Sequence, residues 1–292
     1  MNFGNAAEIT RQLQTHALSQ EMDYFGVSPV SRLKNLPEPF RPTDLFPGAK
    51  CVIVMGMHIS QGVLMAHAAS FEGDRLQMPI FTQFGFNKVN ELLNLAALKT
   101  VRIIEKRYGG VAMPIPSSEP HDEELMMGTI SNRYAAVCAG LGEMTWSGFV
   151  ATPRHGTRVR WVSVITDLDL EVNALYQGPK LCRYPECKIC VDICPAQALS
   201  RDQEVEIQID TFKAGYAKRH KPRCRCATSG LIKGTPGRLQ ADMPSQMDTM
   251  DDWYEFQKRD SRWNKMEFHH GNYCLLCMTN CPIGHKSGEE KA

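Results

Sequence analysis

Seven cysteines fall in two short runs, CRYPECKICVDICP at 182–195 and CLLCMTNCP at 274–282, each closing on Cys-Pro. Cys182, Cys187, Cys190 and Cys194 stand at C-x4-C-x2-C-x3-C-P, and Cys274, Cys277 and Cys281 repeat C-x2-C-x3-C-P. This is iron–sulfur spacing. A two-residue gap lets a tight loop wrap one corner of a cubane, and the cysteine before proline is carried to the other cluster in two-cluster ferredoxins. The proline, with its fixed φ, ends the loop. Two stretches far apart in the chain must therefore meet in space.

By that exchange one [4Fe-4S] cluster takes Cys182, Cys187, Cys190 and Cys281, and a second takes Cys194, Cys274, Cys277 and one further thiolate. Cys224 and Cys226, in KPRCRCATSG, are the nearby candidates, and the sequence does not choose between them. The four-residue gap after Cys182 departs from the commoner two, so Cys182 is the least typical member of its set. A plainer reading makes each run a zinc knuckle. Against it, the gap between the CxxC pairs is far longer than in a zinc ribbon, and zinc leaves the third cysteine and the proline of each run unexplained. No CxxC is followed by histidine, which excludes haem attachment. Cys51, in an apolar strand, and Cys138, in an alanine-rich helix, read as small buried hydrophobes.

A chain of 292 residues buries a proper core without covalent staples. Its 33 basic and 32 acidic residues nearly cancel, so the overall balance points to no polyanion or charged membrane partner. The first 30 residues hold no signal-type apolar core, and the longest apolar stretch, Cys51–Met57, is far too short to cross a bilayer. The expectation is a soluble, cytoplasmic protein. In a reducing compartment, cysteines at two-residue gaps are metal ligands or redox groups rather than disulfide halves.

The first part of the chain alternates helix and strand. EITRQLQTHAL reads as a helix, and CVIVMGM as a strand covered on both faces. Val89, Leu92, Leu93, Ala96, Ala97, Val101 and Ile104 predict a helix over 89–106, stopped by Gly109-Gly110. A short VAM strand, a helix at SNRYAAVCAG and a strand at RVRWVSVITD follow. This predicts an α/β domain over 1–177 and a small ferredoxin-like iron–sulfur domain over 178–292. Beyond Gly178 the cysteines dominate, 213–240 is basic with glycine and proline, and 241–270 is polar without periodicity.

RPTDLFPGAKCVIVMG at 41–56, AGLGEMTWSGFVATPRHGTRVRWVSVITDLDLE at 139–171 and CPAQAL within the first cysteine run occur in one order and spacing. In these motifs the chain resembles the cobalamin-dependent reductases, the superfamily of reductive dehalogenases and epoxyqueuosine reductase. The resemblance covers most of 40–200 and returns at 273–284. It implies a nitroreductase-like core holding a base-off cobalamin, with two [4Fe-4S] clusters passing electrons to it for reduction of a small organic substrate. The protein would supply pocket, proton donor and electron path, and the cofactor the hard chemistry. A ferredoxin or flavodoxin would supply electrons, since no G-x-G-x-x-G motif is present. Thr152, Arg154, His155, Thr157 and Arg158 lie where relatives approach the corrin. The plain reading of Arg158 and Arg160 is that they flank a strand and face water.

The departures are specific. Trp146 stands where dehalogenases carry an arginine after GLGE, and Phe84 and Phe86 where their general-acid tyrosine is expected. Met126 falls at the acidic position of epoxyqueuosine reductases, with Asp122, Glu123 and Glu124 out of register. Tyr134, beside Arg133, is the candidate replacement proton donor, and packing into the core is its plainer role. His269 and His270 read as a loop beside the second run. Few residues follow Cys281, so no helical-repeat extension of the tRNA-acting members is expected and nucleic acid is the less favoured partner. The basic stretch YAKRHKPRCRC keeps that partner in view. The competing reading is a non-catalytic iron–sulfur carrier without cobalamin that docks on a partner protein.

Overall fold

The computed structural model of the chain describes residues 5–118, 128–210, 212–230, 232, 235, 248–259 and 274–284. The helices are α1 (Ala6–Ser19), α2 (Pro42–Leu45), α3 (Gln61–Phe71), α4 (Met78–Ile80), α5 (Lys88–Ile103), α6 (Asn132–Cys138), α7 (Ile189–Asp192), α8 (Lys221–Thr228), α9 (Met250–Arg259) and α10 (Leu276–Thr279). The strands are β1 (Tyr24–Pro29), β2 (Cys51–His58), β3 (Ala112–Ile115), β4 (Glu143–Met144), β5 (Val150–Ala151), β6 (Val159–Thr166), β7 (Leu199–Ile209) and β8 (Phe212–Arg219).

The central sheet has the order β1-β2-β6-β3. Along β2 successive side chains alternate between the faces. Cys51, Ile53 and Met55 pack with Leu13 of α1 and with Leu93 and Ala97 of α5. Val52 and Val54 pack with Ala135 and Cys138 of α6 on the other face. Both faces are therefore covered, which is why the strand reads as an unbroken apolar run. The helix expected over 89–106 is α5 followed by a π-helical stretch, Ile104–Tyr108, closed by Gly109 at φ 67°. Only a residue without Cβ adopts that left-handed conformation at little cost.

The fold mixes helix and sheet as expected, but every neighbouring pair in the main sheet is antiparallel. An α/β alternation ordinarily builds a parallel sheet. Here β6 inserts between β2 and β3 and runs opposite to both, so the helical crossover α3–α5 joins strands that never touch. Beyond position 178, β7 and β8 form an antiparallel hairpin. Its Ile209 and Ala214 pack with α6 and β2, and the N–H of Ala217 donates to the Trp146 carbonyl at 2.8 Å. The cysteine-bearing part thus shares apolar core with the sheet. Among the described residues no helix is long and apolar enough to cross a membrane.

Candidate functional site

The thiols draw together from both runs. Burial raises the Cys190 thiol to about 12, helped by the negative charge that Cys182, Cys281 and Cys187 would carry beside it. Cys274 is raised by burial and then by Cys277, Cys224 and Cys194. Cys277 is pushed up to about 12 by burial, against the pull of Arg219, with Cys224, Cys194 and Cys190 adding to the rise. Cys182, Cys187 and Cys281 lie close enough to act on Cys190, and Cys194 and Cys224 close enough to act on both Cys274 and Cys277. Cys190 and Cys277 link the two sets.

Both candidates on α8 lie beside the second set. Cys224 acts on both Cys274 and Cys277. Cys226 is fully buried with Ala198, Ile232 and Cys274, and its thiol rises to about 12 through burial and Asp252. Cys51 and Cys138 sit in the two faces of the main core. All the described cysteines are free thiols. Among the described residues no three His, Cys, Asp or Glu side chains converge where a single ion would sit. The donor chemistry suits iron–sulfur: each set is thiol only, and crowded thiolates need a cationic core to offset their repulsion. Sulfur also receives backbone donors, from Trp146 N–H to Cys182 Sγ (3.4 Å) and from Ala198 N–H to Cys194 Sγ (3.3 Å).

Two loops of the sheet domain hold the runs in place. Glu143, on β4, accepts hydrogen bonds from the backbone N–H of Leu181 (2.8 Å) and of Cys182 (3.4 Å). Trp146 stacks on Tyr184 with ring centroids 3.9 Å apart and donates from Nε1 to the Ser200 carbonyl. Trp146, expected from the resemblance to stand where dehalogenases carry an arginine, thus covers the first run. Thr157 donates to the Met278 carbonyl at 2.6 Å, and Arg158 donates to the carbonyls of Cys281 and Ile283, both at 2.9 Å. Both side chains are buried, so Arg158 does not face water, and the polar atoms of both are turned to the second run. The rest of that loop forms a polar cluster. Tyr24 Oη lies 2.8 Å from Thr152 Oγ1 and 2.7 Å from His155 Nδ1. His155 stacks on His58 at 4.3 Å, and His58 Nδ1 reaches Asp23 at 2.8 Å. Arg154 is exposed beside them.

Arg133 and Tyr134 belong to a second cluster that includes residues missed by sequence reasoning. Tyr134 Oη is 2.6 Å from Tyr216 Oη, and burial followed by that hydrogen bond raises its pKa, so it stays a neutral hydroxyl. Arg133 donates to the Gly148 carbonyl (2.6 Å) and Arg219 to the Ser147 carbonyl (2.6 Å). Both guanidiniums lie over the Phe149 ring, at 5.8 and 5.9 Å. Burial would lower Arg219, but Cys224, Cys277 and Cys194 outweigh it and leave the pKa raised. Arg160, read from the sequence as facing water, is half-buried, lies over Phe86 at 4.3 Å and donates from Nε to Asn90 Oδ1 at 2.6 Å. Phe84 points outward, 58% exposed. Met126, Asp122, Glu123, Glu124, His269 and His270 lie outside the described residues.

No family model matches the chain. Over 108 residues it is 32% identical to a tetrachloroethene reductive dehalogenase of Dehalobacter restrictus, a stretch covering 35% of this chain and 19% of that protein. Over 109 residues it is 33% identical to an epoxyqueuosine reductase of Staphylococcus aureus, covering 36% of this chain and 28% of that one. The chain thus spans well under two thirds of the length of the curated relatives it matches. A crystal structure of epoxyqueuosine reductase with a modified tRNA stem loop superposes at TM-score 0.53 with 16% identity, over 96% of this chain and 66% of that one. A reductive dehalogenase structure bearing on B12-dependent dehalogenation superposes at TM-score 0.56 with 15% identity, over 88% and 35%. The structural likeness shows the fold, and the sequence matches are to reductases. Over about a third of its length the chain is thus similar to reductive dehalogenases and epoxyqueuosine reductases, and it shares their fold.

Proposed function

We propose that the chain is a cytoplasmic iron–sulfur oxidoreductase that passes electrons from a ferredoxin or flavodoxin through two [4Fe-4S] clusters to a base-off cobalamin, which reduces a small organic substrate. The observation that carries this reading is the grouping of eight thiols into two sets, each drawn from both cysteine runs, with Cys224 completing the second. In a ferredoxin-like domain over 178–292, that exchange is what two adjacent cubanes require.

Thr152, Arg154 and His155, with the donors of Arg133, Arg160 and Arg219, would hold a corrinoid, whose amide carbonyls and phosphate are acceptors. Bound there, it supplies low-potential reducing chemistry. Thr157 and Arg158 brace the second run against the loop that carries those contacts. Reductive cleavage of a carbon–leaving-group bond consumes two electrons and one proton and releases the leaving group as an anion. Tyr134 keeps its proton at neutral pH, and with Arg133 beside it forms the candidate donor pair.

The tRNA in the neighbouring structure makes a nucleic-acid substrate a reading to be tested. Part of the basic stretch is engaged by the protein itself: Arg219 turns inward and Arg223 pairs at the surface with Asp248 at 2.6 Å. This favours a small substrate. The non-catalytic carrier remains the second reading, because Trp146 is committed to packing and Phe84 is exposed, so neither expected catalytic side chain is replaced in place.

Anaerobically reconstituted protein separates these. About eight iron atoms per chain and a base-off spectrum on adding hydroxocobalamin are expected. Full iron without corrinoid uptake establishes the carrier, and zinc or about half the iron overturns both. Tight binding of a tRNA stem loop would displace the small-substrate reading.

A further inference from the structure

Where the end of α1 meets the end of α5, a cleft of about 280 Å³ is lined by His16, Lys99, Arg102, Ile103, Lys106 and Arg107. Lysine and arginine make up most of that lining, and no carboxylate is part of it. α5 supplies Lys99 and Arg102, the π-helical stretch that continues it supplies Lys106 and Arg107, and the last turn of α1 supplies His16. Spacings of three and four residues put Lys99, Arg102 and Lys106 on one side of the helix. Ile103 packs against the core behind them.

The cleft is remote from the thiols. Phe81, which opens the π-helical turn before α5, packs with Leu275 and Met278 of the second run. From there α5 rises through 16 residues to Ile103, a length on the order of 24 Å.

Two observations point to a ligand. The Nε2 atom of His16 is buried without a hydrogen-bond partner, whereas buried polar atoms are ordinarily paired. The side chains of Arg102, Lys106 and Arg107 meet no hydrogen-bond or ion-pair partner among the described residues, and Lys99 gives one donor to Gln20 Oε1 out of three. Glu8, the acid on α1, is already taken by Arg11 and Gln12. Cations near a helix C-terminus complement its dipole, which accounts for Lys106 and Arg107. It accounts neither for Lys99, well before the closing turn, nor for the stranded nitrogen of His16. The cationic group is also short: toward the start of α5 the exposed residues are Leu92, Leu95 and Leu98, 46–48% exposed. A nucleic-acid backbone would need charge to continue along the helix, and a single phosphate needs only what the cleft holds.

We propose that this cleft binds a phosphate group, carried either by a small soluble ester or by a lipid headgroup. Arginine forks and lysine ammonium groups match its oxygens, and His16 Nε2 gains the partner it lacks. Concavity suits the soluble ester, and the leucines beside the cations suit the lipid. The site is independent of the reductase reading.

The test uses the full reconstituted chain, with calorimetry against glycerol 3-phosphate and neutral glycerol, and co-sedimentation with vesicles of phosphatidic acid or of phosphatidylcholine. Wild-type protein should bind glycerol 3-phosphate or phosphatidic acid saturably and ignore glycerol and phosphatidylcholine. Arg102→Gln combined with Lys106→Gln should weaken that binding at least about tenfold. The charge-matched pair Lys34→Gln with Lys213→Gln, at exposed positions elsewhere, should leave it within about twofold. Iron per chain should stay at the wild-type value in every variant. Binding of glycerol 3-phosphate assigns the site to a soluble ester. Binding confined to phosphatidic acid vesicles assigns it to lipid, and Leu95→Ser with Leu98→Ser should then weaken it further. Absence of saturable binding to both phosphate probes overturns the site, and so does equal weakening by the charge-matched pair.

Discussion

The two cysteine runs share a pattern but are held in opposite ways. The first is held by an acceptor: the Glu143 carboxylate takes backbone N–H groups from Leu181 and Cys182, and Trp146 lies over Tyr184. The second is held by donors, with Thr157 and Arg158 reaching carbonyls of Met278, Cys281 and Ile283. The donor clamp is buried, and the acceptor clamp is partly open to solvent. A run gathered by buried donors depends more heavily on its clamp, because removing them strands carbonyls that water cannot reach.

The sharpest way to break the symmetry is at α8. Cys224→Ser should remove one whole cluster, about half the iron, while Cys226→Ser leaves iron unchanged. Equal losses would cancel the distinction drawn between these thiols. Next in size, Arg158→Met should lower unfolding stability of the reconstituted protein by about 3 kcal/mol, since the buried Cys281 carbonyl and the half-buried Ile283 carbonyl lose a charged donor. Glu143→Ala, at the more open clamp, should cost about 1–2 kcal/mol in the same denaturant titration. If Glu143→Ala proves the costlier, the contrast between the clamps fails.

The smallest effect is with pH. Burial, then His58, lowers the pKa of His155 in the folded chain. The unfolded chain then binds the proton more readily, so this contribution is present above about pH 6.5 and is lost as pH falls below it. Thermal unfolding between pH 7.5 and 5 should show a decline that His155→Gln reduces. A flat profile would separate the polar loop from the stability of the second clamp.

Much of the framework was legible because apolar periodicity is local. β2 and α5 announce themselves, and the cysteine runs fix their own chemistry by spacing. β1 did not, since YFGVSP carries glycine, serine and proline. Its Gly26 is required by packing, where an added Cβ would meet the Ala139 carbonyl at 2.9 Å. β7 hid its alternation of Val205, Ile207 and Ile209 among glutamates and glutamines, and its hairpin partner looked like a basic loop. The antiparallel order was also hidden, because the strand that separates β2 from β3 is the last of the four in sequence. Arg160 and Arg219 could not be read as site residues, since what surrounds a cation is decided by elements distant in the chain. Cys224 and Cys226 stand two residues apart in KPRCRCATSG, and spacing alone does not choose between them.

Gly156, at φ 55°, sits directly against the Ile283 carbonyl, where a Cβ would stand at 1.8 Å, and Gly284 abuts the Gly156 nitrogen in return. Main chain is pressed to main chain, like two planed boards with no shim between them. Any methyl inserted at this seam would pry the tail of the second run off its seat and tilt Cys281, the thiol that acts on Cys190 of the first run. Two missing side chains thereby set the tolerance to which the runs are brought together.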